Sequence, residues 1–585
     1  MPPSPARPVA AAAGHGPLLR HGPLLRHGPL LRHWPLWLVL ALALALNAWG
    51  NRWGLLNRWH GDEVSWTAEE MVRGRTLNPH YFMYGNVGYY RTMLGVAPAM
   101  AYTRLVDPEP ARADAAAHLA WQERYARRVA WGPRLVSMAE GVLLVLVTYL
   151  VGALLLDRRV GLLGAALVAL SPVVVYIAHV ATVDGFANLV QWLACLAAVL
   201  SWKRGSDRWL AASIFLAGVA GGAKTDHVLV VVPVAVAYLW RERRTWRHLP
   251  LLLLLPLGYL AANPVLLVQP FEFLDGLTRD MFFADVQEVG GETSYGLLLD
   301  YVRDGAGWPG FAVAMAGLLG AVAWIARGEH RRELVWLLST FLPYYLLFGS
   351  RTVYPWYVAQ LLPGLLLVAA HAWLRVADRL PRRFVPATLA ALAALLLLAL
   401  TGPLSIDLQF ANDPRIAARR WLEANVPAGA TVFVSGRGPE ISRQRYRVEV
   451  MLGDRDRWIE NVIEPRDSLE RHATYQRLRG AILQAERRAG IHREPYSGWY
   501  DVVMTEMDER PDAMERIRTV WPDHVVIVQS MSPTVLSWIR EPGSGYVQEA
   551  EFSYRSPMWP DLRMPMLNAR VWVFRREGPR PGGHE

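Results

Sequence analysis

Between residues 34 and 403 the chain returns repeatedly to strongly apolar runs, and its arginines gather in every second connection between them. No other feature limits the fold as much. An apolar run that enters hydrocarbon must satisfy its backbone polar groups internally, which makes it a helix. The runs fall at about 34–50, 135–156, 160–178, 184–202, 208–222, 227–240, 248–263, 309–326, 333–349, 354–373 and 384–403, eleven in all to within one or two. Several are shorter than the roughly 20 residues that cross a bilayer upright. The charges give an independent check. Arg20, Arg26 and Arg32, then Arg158 and Arg159, then Lys203, Arg204 and Arg208, then Arg241, Arg243, Arg244 and Arg247 fall in alternate connections. Arg327, Arg331 and Arg332 continue the series, as do Arg375, Arg379, Arg382 and Arg383. The positive-inside rule makes that side cytoplasmic. The connections at 51–134, 179–184, 223–226, 264–308 and 350–354 are then external, and an odd number of spans puts the C-terminal tail outside too.

Composition agrees. The 585-residue chain is 53% hydrophobic and only 19% charged, against about 25% charged in soluble domains. The deficit lies within 34–403, while 404–585 has ordinary soluble composition. The expected fold is therefore a polytopic α-helical membrane domain followed by an extracytoplasmic α/β domain. The net charge of +10 is placed by topology and does not imply nucleic acid as a partner. Cys195, the single cysteine, excludes an intramolecular disulfide and a CxxC-type metal site. Residues 1–33 read as a basic cytoplasmic tail, in which HGPLLR repeats at 15–20, 21–26 and 27–32. Three copies broken by Gly-Pro are a local expansion, too few for a solenoid. The following apolar run could be a signal-peptide core, but no small-x-small cleavage site ends it, and a retained anchor is favoured.

The first external connection is long, as functional loops often are. Its stretches 62–73 and 113–128 have helical spacing and are expected to lie along the membrane surface. Trp53, Trp59, Trp66, Tyr81, Tyr84, Tyr89 and Tyr90 are expected at the interface. In the tail, DPRIAARRWLEANV starts with Asp413 as N-cap and Pro414 at the first helical position. ATVFVSG is a strand; YDVVMTEM, DAMERIRTVW and HVVIVQS read strand–helix–strand, implying a parallel pair. ARVWVFRR is a late strand, expected at an edge. No GxGxxG turn follows a strand, so no nucleotide site is read there.

A charge near the bilayer centre costs about 2.5–3.5 kcal/mol on insertion scales, so charges at its margin need a reason. Four external places stand out: Asp62 and Glu63; His179 and Asp184 in AHVATVDGFANL; Lys224, Asp226 and His227 in GGAKTDHV; and Arg351, Tyr354 and Tyr357 in GSRTVYPWYVAQLLP. Each has a plainer explanation. Asp62 and Asp184 can cap helices, at about 1 kcal/mol each. Lys224 and Asp226 can pair in a wet turn, contributing at most about 1 kcal/mol. Arg351 can anchor a helix end by snorkelling. Taken singly, each plain explanation wins or draws. Together the four supply carboxylates suited to taking a proton from a hydroxyl and cations suited to a phosphate. That set fits transfer of a group from a lipid phosphate to an acceptor hydroxyl, with the leaving phosphate stabilised by the cations.

The stretches HGDEVSWTAEEMVRG, YFMYGNVGYY, PRLVSMAEGVLLVLVTYLVGALLLDRRVGLLGAALVALSPVVVYIAHVATVDGFAN, AGGAKTDHVLVVVPVAV and SRTVYPWYVAQLLPGLLLVAA carry a resemblance. In their order and topology they resemble the GT-C integral-membrane glycosyltransferases, in particular the phospholipid carrier-dependent aminoarabinose-transferase and protein O-mannosyltransferase group. DPRIAARRWLEANVPAGATVFVS resembles the start of the outer domain many bacterial members carry. The resemblance runs from about 34 to 436 and is weaker in the middle. It implies that Asp62 is the acidic residue of the first outer loop that acts as base or orients the acceptor, with Glu63 its usual neighbour and Asp184 the second acidic position. Lys224, Arg351 and His179 would meet the donor phosphate, and Tyr84, Tyr89 and Tyr354 would line the substrate. A polyprenyl-phosphate-linked sugar is the implied donor and a glycan, lipid or protein hydroxyl the implied acceptor. Transfer would invert the anomeric carbon at the outer face of a bacterial inner membrane. Two motifs are missing: the Pro-Pro pair of the first loop, replaced by YFMYGNVGYY, and the WWDYG of oligosaccharyltransferases. No cofactor is expected, although a divalent metal is not excluded. The rival readings are a secondary transporter, which would place its polar groups at the midplane in repeated halves, and a non-catalytic scaffold, which leaves the loop carboxylates unexplained.

Overall fold

Helices stand at all eleven places where apolar runs occur, from Trp34–Ala48 to Val385–Ala411. The computed structural model describes residues 34–578 except 112, 243, 288–294, 351–353, 436, 452–476, 479, 491–512, 530–532, 563 and 565. Among the described residues four helices are long and apolar enough to cross a membrane, and five if the bent pair Arg158–Ala169 and Pro172–His179 counts as one span. Trp34–Ala48, Thr225–Leu239 and Trp246–Ala262 are apolar but shorter. Of the remaining three runs, 208–222 is the single helix Asp207–Ala223, and the other two are broken into pieces, Arg331–Ser339 followed by Leu342–Phe348, and Pro355–Gln360 followed by Leu362–Arg379. Prolines mark the breaks, because Pro lacks the N–H that would continue the ladder: Pro172 and Pro343 stand at helix starts, and Pro363 follows the 3₁₀ turn.

The long first connection, 51–134, is largely built into helices. It forms the helices Ser65–Gly74 and Asn86–Val106. The stretch 113–128, expected as a separate surface helix, is instead the outer part of one helix, Ala115–Leu155, 41 residues long. The Gly132–Pro133 pair inside it does not break it, because that pair is where the Asn86–Val106 helix crosses. A Cβ placed on Gly95 would lie 2.4 Å from the Pro133 nitrogen and 2.5 Å from the Gly132 carbonyl. Both obstacles are backbone, so neither can swing aside. Gly95→Ala is expected to lower stability by about 1–3 kcal/mol, the range for overpacking, read as a lower melting temperature in detergent. Gly480→Ala, with open space around it, is the control.

The tail has a five-stranded sheet in the order β2-β1-β3-β5-β4: β1 Thr431–Ser435, β2 Arg447–Met451, β3 His524–Val528, β4 Tyr546–Phe552 and β5 Val571–Arg576. β1 runs parallel to both β2 and β3, while β5 is antiparallel to β3 and β4. β5 was expected at an edge, but it is internal; all four of its first residues, Val571 to Phe574, are buried, and β4 takes the edge with its alternating, half-exposed pattern. The proposed strand at 500–507 lies outside the described residues. Both faces of the sheet are covered, as alternation along β1 requires. Val432 and Val434 pack with Ala418 and Leu422 of the Pro414–Asn425 helix, and Phe433 packs with Ile517, Val535 and Ile539 on the other face. Asp413 caps the Pro414–Asn425 helix as expected, accepting from the Arg415 N–H at 3.0 Å.

The tail sits on the long first connection. Trp53 Nε1 donates to Asp413 Oδ2 at 2.9 Å, and Trp59 Nε1 to the Gly438 carbonyl at 2.7 Å. The Arg415 guanidinium, held by Asp413, lies 4.1 Å over the Trp59 ring. Trp53 and Trp59 were expected at the lipid interface; they are fully buried between loop and tail, since each indole N–H finds a tail acceptor. Trp66, 60% exposed, keeps a surface position. The helix Val385–Ala411 runs past residue 404, and its last turns are buried against the tail, with Gln409 Nε2 donating to the Leu562 carbonyl at 2.8 Å.

Candidate active site

Asp62 caps nothing. The helix after it begins at Ser65, its N-cap is Val64, and no side chain bonds its first N–H groups. The plain explanation for Asp62 therefore fails. Its backbone N–H donates to His60 Nδ1 at 3.2 Å, and its half-buried carboxylate has no hydrogen bond or ion pair among the described residues. Glu63, its neighbour, is placed oppositely. It is buried in a two-pronged pair with Arg134, at 2.7 and 3.1 Å, and also accepts the Ala181 N–H at 3.0 Å. Burial alone would raise Glu63, but Arg134 outweighs it and holds the carboxyl below the usual glutamate range. A carboxylate with its lone pairs so engaged is a poor proton acceptor. Expected beside Asp62 as a catalytic residue, Glu63 is found in the framework.

Asp184 lies in the first turn of the Val183–Arg204 helix, whose N-cap is Thr182. Its carboxylate turns to Lys224 Nζ, 2.5 Å away, and not to Asp226, the partner expected within the Lys224 turn. Lys224 ends the Asp207–Ala223 helix in an extended conformation, which lets its side chain cross to the neighbouring helix. The ammonium also stands 3.9 Å from the Tyr357 ring centroid. Burial opposes the charge on Lys224, but Asp184, Tyr357 and Asp226 outweigh it and hold the ammonium above the usual lysine range. It is therefore a permanent cation. Below it, His227 joins Asp226 Oδ1 at 2.9 Å and Asn188 Oδ1 at 3.1 Å, and Gln360 Nε2 donates to Asp226 Oδ2 at 3.2 Å. These bonds fix the turn against two further segments.

The loop YFMYGN closes the arrangement. Gly85 N–H donates to the Ala223 carbonyl at 3.1 Å, and a Cβ on Gly85 would fall 1.7 Å from the Gly222 oxygen. Only glycine permits that approach. It sets Tyr84 where it feels Asp62 and Asp184 together; burial and then these two carboxylates push the phenol well above its usual value, keeping it a neutral hydroxyl. Tyr176 and Tyr357 also interact electrostatically with both Asp62 and Asp184. Asp62 and Tyr84 from the first connection, with Asp184 and Lys224 from two others, thus lie around one place with Tyr357.

Other expected members do not join them. His179 is completely buried, with Nδ1 at 2.7 Å from the Val175 carbonyl and Nε2 at 2.6 Å from the Trp49 carbonyl. Its ring stacks on Phe410 at 4.4 Å. Both nitrogens are engaged, so none is offered to a phosphate. Tyr89 is fully buried and packs edge-on to Tyr81 at 6.5 Å, behind the site. Tyr354 is exposed and stacks on Trp356 at 4.7 Å. Arg351 lies outside the described residues. Sequence reading missed His60, and it missed Arg134, although a lone arginine at the mouth of an apolar run was a visible signal. It also passed over Glu140, inside the same run, which pairs with Arg91 in the interior.

Comparison with known proteins finds one family. The model for dolichyl-phosphate-mannose-protein mannosyltransferases matches residues 126–267, a segment that includes Asp184 and Lys224 but not Asp62. This match supports the GT-C resemblance read from the sequence motifs. Sequence comparison with the curated proteins returns no match. Among solved structures, ArnT from Cupriavidus metallidurans bound to undecaprenyl phosphate is 15% identical, with 94% of this chain and 99% of that chain covered and a TM-score of 0.47. The Archaeoglobus fulgidus oligosaccharyltransferase in its apo form is 14% identical, with 71% of this chain and 64% of that chain covered and a TM-score of 0.40. AglB from the same archaeon, in complex with an inhibitory peptide and a dolichol-phosphate, is 15% identical over 72% of this chain and 65% of that chain, with a TM-score of 0.40.

Proposed function

We propose that the protein is a polyprenyl-phosphate-sugar-dependent glycosyltransferase, working at the external face of a cell membrane with its N-terminus in the cytoplasm and its tail outside. One observation carries this reading. Asp62, a carboxylate without a hydrogen bond or ion pair among the described residues, and Lys224, a permanent cation, both act on Tyr357, in a site built from the connections between helices. Asp62 accepts the proton of an acceptor hydroxyl on a glycan, lipid or protein. The acceptor oxygen attacks the anomeric carbon, whose bond to the phosphate oxygen breaks, and polyprenyl phosphate leaves carrying the bonding electron pair. Direct displacement inverts the anomeric centre. Lys224 stabilises the phosphate as charge gathers on it, and Asp184 keeps Lys224 aimed and charged. The neutral Tyr84 and Tyr357 hydroxyls are suited to the sugar. The cation is supplied by the chain itself, so the reading needs no metal.

Purified full-length protein supplied with labelled polyprenyl-phosphate mannose, glucose, galactose or arabinose tests the reading. Release of polyprenyl phosphate with at least one donor is expected. A transporter or a scaffold would leave every donor intact. Lys224→Ala is expected to raise the donor KM by roughly 10- to 100-fold, the equivalent of one charge-assisted hydrogen bond at about 1.5–3 kcal/mol. Donor titration of initial rates checks it, and an unchanged KM would remove Lys224 from the phosphate site.

A further inference from the structure

His60 opens the HGDEV stretch, two residues before Asp62, and the chemistry above does not use it. Its side chain is 2% exposed. The ring lies between Tyr176, with centroids 5.8 Å apart, and Trp356, at 5.9 Å and an interplanar angle of 65°. Its Nδ1 accepts the Asp62 N–H at 3.2 Å. Its Nε2 is buried with no hydrogen-bond partner among the described residues. A side-chain acceptor that takes the N–H of the second residue on is the geometry of an Asx turn, here made by a histidine. The bond closes the turn His60–Gly61–Asp62, and the Arg437 guanidinium lies against Gly61, where a Cβ would come within 2.2 Å of it. The aromatic walls fix the ring, and the ring in turn fixes the backbone that carries the unpaired carboxylate.

We propose that His60 is a positioning residue that holds Asp62 in its catalytic conformation through neutral Nδ1, and that protonating this ring releases the turn. The proposal rests on the reading of Asp62 as the base. Its physical basis is simple. Nδ1 accepts only while the ring is neutral; a protonated ring has two N–H groups and sets one against the Asp62 N–H. The charged groups facing the ring are Asp62, Glu63 and Asp184, which favour protonation, and Arg437, which opposes it. Burial is the largest influence and keeps the ring neutral below the usual histidine value. The turn is therefore closed at neutral pH and opens only in acid.

Four variants of the full-length protein separate this role from packing: His60→Ala, His60→Phe, His60→Gln and His60→Asn. The asparagine Oδ1 reproduces the Nδ1 acceptor, whereas glutamine places its amide at the Nε2 position and phenylalanine keeps only the ring. The assay is release of polyprenyl phosphate from whichever polyprenyl-phosphate sugar the wild type turns over. Ala, Phe and Gln are expected to lower kcat by roughly 10- to 100-fold with the donor KM within twofold, and Asn to stay within about threefold of wild type. The wild-type acid limb of kcat is expected to be steeper than that of the Asn variant, by the proton that His60 takes up. Recovery by Phe or Gln as good as by Asn, an active Ala variant, or a folded but inactive Asn variant each overturns the proposal while leaving Asp62 as the base. Full turnover by Asp62→Asn removes the base, and the role of His60 with it.

Discussion

Asp62→Asn lowers sugar transfer by about 10²- to 10⁴-fold, the range general-base catalysis supplies, with little change in folding. The second half of that expectation is what makes the first informative. Among the described residues the Asp62 carboxylate has no partner to lose, it caps no helix, and it is half-buried and not part of the core. Asparagine keeps the volume and the backbone N–H bond to His60 but has no basic oxygen. The melting temperature should therefore stay within a degree or two while transfer disappears. The donor KM should change little, because Lys224 and Asp184 remain. Release of polyprenyl phosphate and the melting curve, measured on the same preparation, decide the matter. Turnover at the wild-type rate would reject Asp62 as the base, and a large fall in melting temperature would show that it has a structural partner.

The contrast between Asp62 and Glu63 also marks how far the sequence could be read. That helices occupy the apolar runs and a mixed sheet with helices occupies the tail was legible in the apolar patterning, because hydrocarbon leaves the backbone few options. Placing the turns of Asp184 and Lys224 together is consistent with the contact between them at 2.5 Å. Which carboxylate of the adjacent pair is free was not legible. It depends on Arg134, some seventy positions away, whose guanidinium also donates to the Asn51 carbonyl at 3.0 Å and to the Trp53 carbonyl. Nothing in local spacing reports such a partner. His179 failed for the same reason: two carbonyls and the face of Phe410 claim it, and none is a neighbour in the motif apart from Val175. The aromatics Trp53 and Trp59 were assigned to lipid because loop aromatics beside a span usually go there; the tail offered each a buried acceptor instead. Helix length was misjudged at 113–128, which was read from its spacing as a piece apart from the span at 135–156 and is continuous with it. The crossing at Gly95 shows Gly132 to be a contact point within a continuous helix.

Glu63→Ala should be lost as folded protein, not as chemistry. Both partners of the Glu63–Arg134 pair are essentially unexposed, at 1% and 0% for the side chains. Removing one leaves an uncompensated buried charge, which costs about 3–5 kcal/mol. Arg134 is the more damaging member, since its guanidinium also ties down the loop carbonyls that start the long first connection. Arg134→Met alone should leave Glu63 buried beside only the Ala181 N–H and yield little protein. The double variant Glu63→Ala with Arg134→Met should be less destabilised than the two single changes added together, because it removes both charges and leaves neither stranded. Thermal denaturation of the four proteins in one detergent gives the cycle. The sign of the pH effect follows from the pair. Glu63 is held below the usual glutamate range when folded, so its contribution is complete above that range and is lost as pH falls through its lowered value. The wild type should thus lose stability on the acid side, and the double variant should lose less. If the single variants fold as well as the wild type and keep their acid response, the pair is not what holds Asp62's neighbour out of the reaction, and Glu63 returns as a candidate base.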